Sequence, residues 1–125
     1  MEHRQFKDQL NQQFGRITKA ISNTHRFELL DLLAQGERSV EELAQESNLT
    51  LANTSQHLQV LREAQLVQVR KAGLYVFYSL ADPAVFRLIQ VIQEIATRQL
   101  VEINQLVDDF LSSRQTLEPV TMHEL

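Results

Sequence analysis

Apolar residues recur along most of the chain at intervals of three and four. Phe6, Leu10, Phe14, Ile17 and Ile21 fall on one face of a first helix. Ser22, Asn23 and Thr24 then supply N-cap oxygens for a second helix from about His25. It carries Phe27, Leu29, Leu30, Leu32 and Leu33 and stops at Gly36, a residue suited to a helix end. Ser39 and Glu42 have the spacing of a capping box and predict a third helix to about Ser47. Asn48 and Leu49 make the turn, and Thr50 caps a fourth helix to about Gln65. After Leu66 the period drops to two. Val67 and Val69 alternate with Gln68 and Arg70, and Tyr75, Phe77 and Ser79 alternate with Val76, Tyr78 and Leu80. A loop over residues 71–74 completes a predicted hairpin. Asp82 and Pro83 then open a last helix, read as continuous to about Ser113, roughly 45 Å for about 30 residues.

Two short helices joined by a tight turn form a helix-turn-helix, and a hairpin directly after it is a wing. The predicted class is therefore mainly α with a small β-hairpin wing. A last helix of such length overshoots a small domain, and its stripe (Val85, Leu88, Ile89, Ile92, Ile95, Ala96, Ile103, Leu106, Val107 and Phe110) calls for a partner. The expectation is a homodimer through the first and last helices; folding back within one subunit is the alternative. Residues 1–113 are read as one DNA-binding and dimerisation domain and 114–125 as a C-terminal tail or linker.

Composition narrows the chemistry. The chain has no Cys, which excludes disulfides, thiolate metal ligands and thiol redox sensing from these 125 residues. No apolar run reaches the length of a membrane span and the N-terminus has no signal-like core, so a cytoplasmic protein is expected. The net charge of −4 conceals a patterned distribution. Residues 1–26 hold five Lys/Arg against two Asp/Glu and residues 50–80 three against one, whereas residues 27–49 hold one against six. A DNA-facing surface should draw on the two basic blocks.

On the recognition helix, Asn53, Gln56 and Gln59 carry amides able to read adenine, and Ser55 can bond a base or a phosphate. Thr50 stands at its start, His57 is read as a packing or phosphate-contacting residue, and Arg70 and Lys71 lie on the wing. Lys19 and Arg26 could add backbone contacts. Each polar residue also has a plain reading as solvated surface. Ser55 and His57 cannot form a nucleophilic dyad, because residues two apart diverge on a helix. No pair of titratable groups has active-site spacing, so no enzyme and no cofactor are expected.

The run Ser55-Gln56-His57-Leu58-Gln59-Val60-Leu61-Arg62-Glu63-Ala64, with Leu66-Val67, Arg70, Gly73 and Tyr78, resembles the signature of the ArsR/SmtB family of winged-helix repressors. Arg26 and the leucine pairs after it fit the same pattern, and the likeness covers roughly residues 15–112. Gln65 stands where that family has Gly, which implies a tighter turn into the wing or a longer helix. The resemblance implies a homodimer on palindromic double-stranded DNA, released by an effector. It also places the family's two common metal sites. Ser39 and Glu41 occupy the cysteine positions of one; Asp82 matches the first ligand of the other, but Ala84, Ile95 and Arg98 stand at the rest. Neither ligand set survives, and a site from His3, His25 and His123 is disfavoured, so no metal is expected and the effector is open. Residues 117–125, with Pro119 and Thr121, resemble the junction at which some members continue into a rhodanese-like domain; a disordered tail is the alternative. In a different class, the chain could be a winged-helix protein-interaction module that does not bind DNA.

Overall fold

A computed structural model describes residues 1–117. The rhodanese-like junction expected in the tail lies outside these residues. The order is α1 (His3–Ile21), α2 (Thr24–Ala34), β1 (Arg38–Ser39), α3 (Val40–Ser47), α4 (Leu51–Glu63), β2 (Val67–Ala72), β3 (Tyr75–Leu80), α5 (Pro83–Gln99) and α6 (Val101–Leu117). Residues Met1–Ile89 form one compact unit, and Gln90 onward a second.

The predicted caps determine where the helices start. The Asn23 side chain accepts from the amides of His25 and Arg26, at 2.9 and 3.1 Å, and opens α2. Ser39 and Glu42 close a reciprocal capping box over the start of α3, with both bonds at 3.1 Å. Asp82 accepts from Ala84 N at 2.7 Å at the start of α5. Leu29, Leu30, Leu33, Leu43, Leu58, Leu61, Tyr78, Val85 and Ile89 bury together in the core of the first unit. Ile17 and Ile21 of α1 pack against that core, but Phe6, Leu10 and Phe14, on the same stripe, are exposed.

The hairpin is longer and its turn tighter than the sequence pattern predicts. Strands β2 and β3 pair from Val67↔Leu80 to Ala72↔Tyr75, which leaves only Gly73 and Leu74 in the turn. Gly73 has φ 61°, and glycine at the first central position suits a type II′ hairpin turn. The two-residue strand β1, too short to leave a periodic signal, adds to β3 with Arg38↔Tyr78 and Ser39↔Phe77, giving the order β1-β3-β2.

Gln65 resolves the alternative its sequence position posed. Helix α4 is not lengthened; it ends at Glu63, and Gln65 turns left-handed with φ 62°. The amide of Leu66 bonds Leu61 O at 3.0 Å and that of Gln65 bonds Arg62 O at 2.9 Å, which closes the helix end. A side chain in this conformation costs on the order of 1 kcal/mol that glycine would not.

The expected single last helix is two helices. The break falls at Leu100, where Ile103 N bonds back to Leu100 O at 3.2 Å, three residues away. Neither Gly nor Pro marks the place, so apolar spacing alone read straight through it. The flanking charges do suit a helix end and a helix start: Arg98 sits in the last turn of α5 and Glu102 in the first turn of α6. Helix α6 also runs four residues past Ser113, into the stretch assigned to the tail. Its Val101, Leu106, Val107, Phe110 and Leu111 are exposed. Among the described residues, no helix is long and apolar enough to cross a membrane.

Candidate nucleic-acid interface

The two faces of α4 do different work. Thr54, Leu58 and Leu61 point inward and are buried, which seats the helix on the core. At 100° per residue, Ala52, Gln56, Gln59 and Glu63 project opposite them, with Asn53 and Ser55 on the two flanks. Asn53, Ser55, Gln56 and Gln59 are all exposed. The side chains of Asn53, Ser55 and Gln56 make no hydrogen bond among the described residues, so their donors and acceptors are unspent. Gln59 is different: its amide donates to the Glu63 carboxylate at 3.3 Å, one turn nearer the C-terminal end. The unspent amides therefore lie in the first half of α4, the end that a recognition helix directs at base edges.

Thr50 is exposed at the head of the same helix, and its hydroxyl accepts from Asn53 N at 3.1 Å. That bond is the predicted cap, and it leaves the hydroxyl proton for a further acceptor. The preceding turn is tight because Asn48, in the left-handed region with φ 57°, ends α3 two residues before the cap. Asparagine tolerates that conformation better than most side chains.

His57 turns toward α2. Its ring is half-buried, lies 5.6 Å from the His25 ring, and sets Nδ1 3.5 Å from Arg26 Nη1. Burial, then the Arg26 guanidinium, then His25 hold the imidazole below its usual pKa. The unfolded chain thus binds this proton at a higher pH than the fold does. The associated stability is complete above about pH 6.5 and is lost as the pH falls through the lower folded value. Urea midpoints should accordingly drop between pH 7 and pH 5, and His57→Gln should flatten that part of the profile. An unchanged slope in the variant would exclude His57 as the cause.

The basic residues are less available than the sequence suggests. Arg26, expected to reach DNA backbone, instead closes the end of α1, with Nε donating to Ala20 O at 2.6 Å and Nη2 to Lys19 O at 3.3 Å. Arg16, which sequence reasoning passed over, donates to Glu63 O at 3.4 Å and ties α1 to the end of α4. Arg70 is exposed on β2 but forks onto Glu37, with Nη2 2.7 Å from Oε1 and Nε 3.0 Å from Oε2. Lys71 and Lys19 are exposed cations with no ion pair among the described residues. No three His, Asp or Glu side chains among those residues converge as a metal site would require.

A helix-turn-helix seated on the core by Thr54, Leu58 and Leu61 is thus followed directly by a β-hairpin. Residues 23–69 match the model of the bacterial regulatory protein arsR family. A winged helix-turn-helix DNA-binding domain from Mycobacterium bovis, Mb0332 fragment 1–100, described as homodimeric and as a possible ArsR-family regulator, superposes with a TM-score of 0.74 at 37% identity. The match covers 82% of this chain and 93% of that one. The chain belongs to the ArsR family. Within the family, the HTH-type transcriptional regulator Rv0324 of Mycobacterium tuberculosis is 36% identical over 119 residues, 95% of this chain. This chain spans only 52% of the length of that relative. The transcriptional repressor SdpR of Bacillus subtilis is 33% identical over 64 residues, which is 51% of this chain and 71% of SdpR. The family assignment makes the chain a winged helix-turn-helix domain of the kind these regulators carry.

Proposed function

We propose that this regulator is a homodimeric repressor that binds palindromic operator DNA by inserting α4 into the major groove. The observation that carries the reading is the unspent amides of Asn53, on the flank, and Gln56, on the outward face, of a helix whose inward residues Thr54, Leu58 and Leu61 are buried. Asn53 and Gln56 read bases, with Gln59 after release from Glu63. Thr50 and Ser55 hold the helix to the flanking backbone, His57 takes the packing role against α2, and Arg70 and Lys71 bring the wing onto phosphate or the minor groove. Two such helices must be presented about one helical turn of DNA apart, which requires a dimer. Exposed Phe6, Leu10 and Phe14 on α1 and exposed Val91 and Ile95 on α5 are the apolar surfaces offered to a second copy. The homodimeric state of the M. bovis domain and the name of SdpR support the dimer and the repression respectively. The protein acts in the cytoplasm, performs no catalysis, and responds to an effector other than a metal at the family's two common sites.

Fluorescence anisotropy with labelled DNA from upstream of the protein's own gene, against a scrambled duplex, tests this reading. Tight binding to the native duplex that falls steeply with salt is the expected result, since phosphate contacts release counterions. Equal, weak binding to both duplexes at every salt concentration would instead favour the interaction-module reading.

A further inference from the structure

The wing carries an ion pair whose geometry goes beyond a surface contact. Arg70 and Glu37 are 33 residues apart; Arg70 lies on edge strand β2, and Glu37 directly precedes β1, the strand on the other side of β3. To meet, the Arg70 side chain crosses β3 over the ring of Phe77, its register partner, with the guanidinium carbon 4.8 Å from the ring centroid. The pair is bidentate, at 2.7 and 3.0 Å. Stacking and fork together fix the plane of the guanidinium. Both side chains nonetheless remain open to solvent, Arg70 56% and Glu37 37% exposed. Each ion holds the other charged: the hydrogen bond lowers the Glu37 pKa and raises that of Arg70.

A planar fork that fits a carboxylate also fits a phosphate. Glu37 comes from the acidic stretch 27–49, whereas Arg70 belongs to the basic stretch 50–80, so the pair joins two blocks of opposite sign. We infer that Glu37 stands in for a DNA phosphate on Arg70, so that the wing engages the operator by exchanging this carboxylate for the DNA backbone. The guanidinium stays over Phe77 during the exchange; only its anion changes. Glu37 therefore keeps Arg70 oriented in the free protein and also competes with DNA for it. Non-specific binding, in which the wing gains little else, is opposed by the need to break the pair. Lys71, with no such partner, meets phosphate without that opposition.

This inference rests on the DNA-binding reading, and the experiment keeps the two apart. Anisotropy with operator DNA is measured for the wild-type protein, Glu37→Gln, Arg70→Gln and the double variant across a range of salt. Failure of the wild-type protein to bind any duplex would overturn the reading of function. With binding established, Glu37→Gln is expected to tighten it about two- to fivefold, the size of an exposed ion pair that no longer has to be broken. Arg70→Gln should weaken binding and lower the salt slope by about one contact. In the Arg70→Gln background the Glu37 substitution should have no effect. Weaker binding by Glu37→Gln would show that the carboxylate only braces the wing. An equal gain with and without Arg70 would show only the removal of a negative charge. Either result would overturn the exchange.

Discussion

Gln56→Ala is expected to weaken operator binding by about 1–3 kcal/mol, or roughly 5- to 150-fold, while leaving the fold intact. Its amide projects from α4 opposite Leu58 and Leu61 and bonds nothing among the described residues, so truncation removes no intramolecular hydrogen bond. An amide facing a base edge neutralises no phosphate. The salt slope of the variant should therefore match that of the wild type, and its affinity for scrambled DNA should be unchanged. Anisotropy with both duplexes at several salt concentrations reads all three quantities. Equal operator affinity would move the reading face elsewhere on the helix, and a changed slope would make Gln56 a backbone contact.

Two residues along the same helix the expected effect changes kind. Leu58 is fully buried among Leu29, Leu30, Leu33, Leu43 and Leu61. Leu58→Ala should destabilise the fold by about 2–5 kcal/mol, from lost burial together with the cavity left behind. That is a large part of the roughly 5–15 kcal/mol that holds a small domain together. Chemical denaturation measures it, compared at one protein concentration because the proposed dimerisation would add stability by mass action. A loss below about 1 kcal/mol would mean that the neighbouring leucines close over the site. With Gln56→Ala, the substitution separates the two duties of α4, since one changes affinity without stability and the other stability first.

Local signals in the sequence were enough for most of the fold. The Ser39–Glu42 capping box, Thr50 as an N-cap, and Asp82 ahead of Pro83 each name a helix start within a few residues, and all three form the bonds their spacing predicts. The change of period from about 3.6 to 2 after Leu66 likewise gave the hairpin. What escaped was set by contacts distant in sequence or by backbone geometry without a marker residue. The break at Leu100 has no Gly or Pro, and β1 is two residues long. The outward amides of α4 were readable because helix periodicity alone separates them from Thr54, Leu58 and Leu61. The fates of the arginines were not. Arg26 caps α1, Arg16 reaches Glu63 O across 47 positions, and Arg70 reaches Glu37 across 33. A charge count sees a cation in each case, and only the fold shows which are already engaged.

The hydroxyl of Ser39 limits which side chains can take its place. In the family pattern this position holds a thiolate ligand, whereas here the oxygen accepts the Glu42 amide and Glu42 returns a bond to the Ser39 amide. Cysteine is a poor substitute in that role, and loss of such a cap typically costs about 1 kcal/mol. Ser39→Cys would therefore weaken the start of α3 before conferring any metal affinity, and a single cysteine gives no usable site until a second replaces Glu41. Installing a thiolate pair here thus takes two substitutions, and the first of them loosens the start of α3 with no ligand set yet in place.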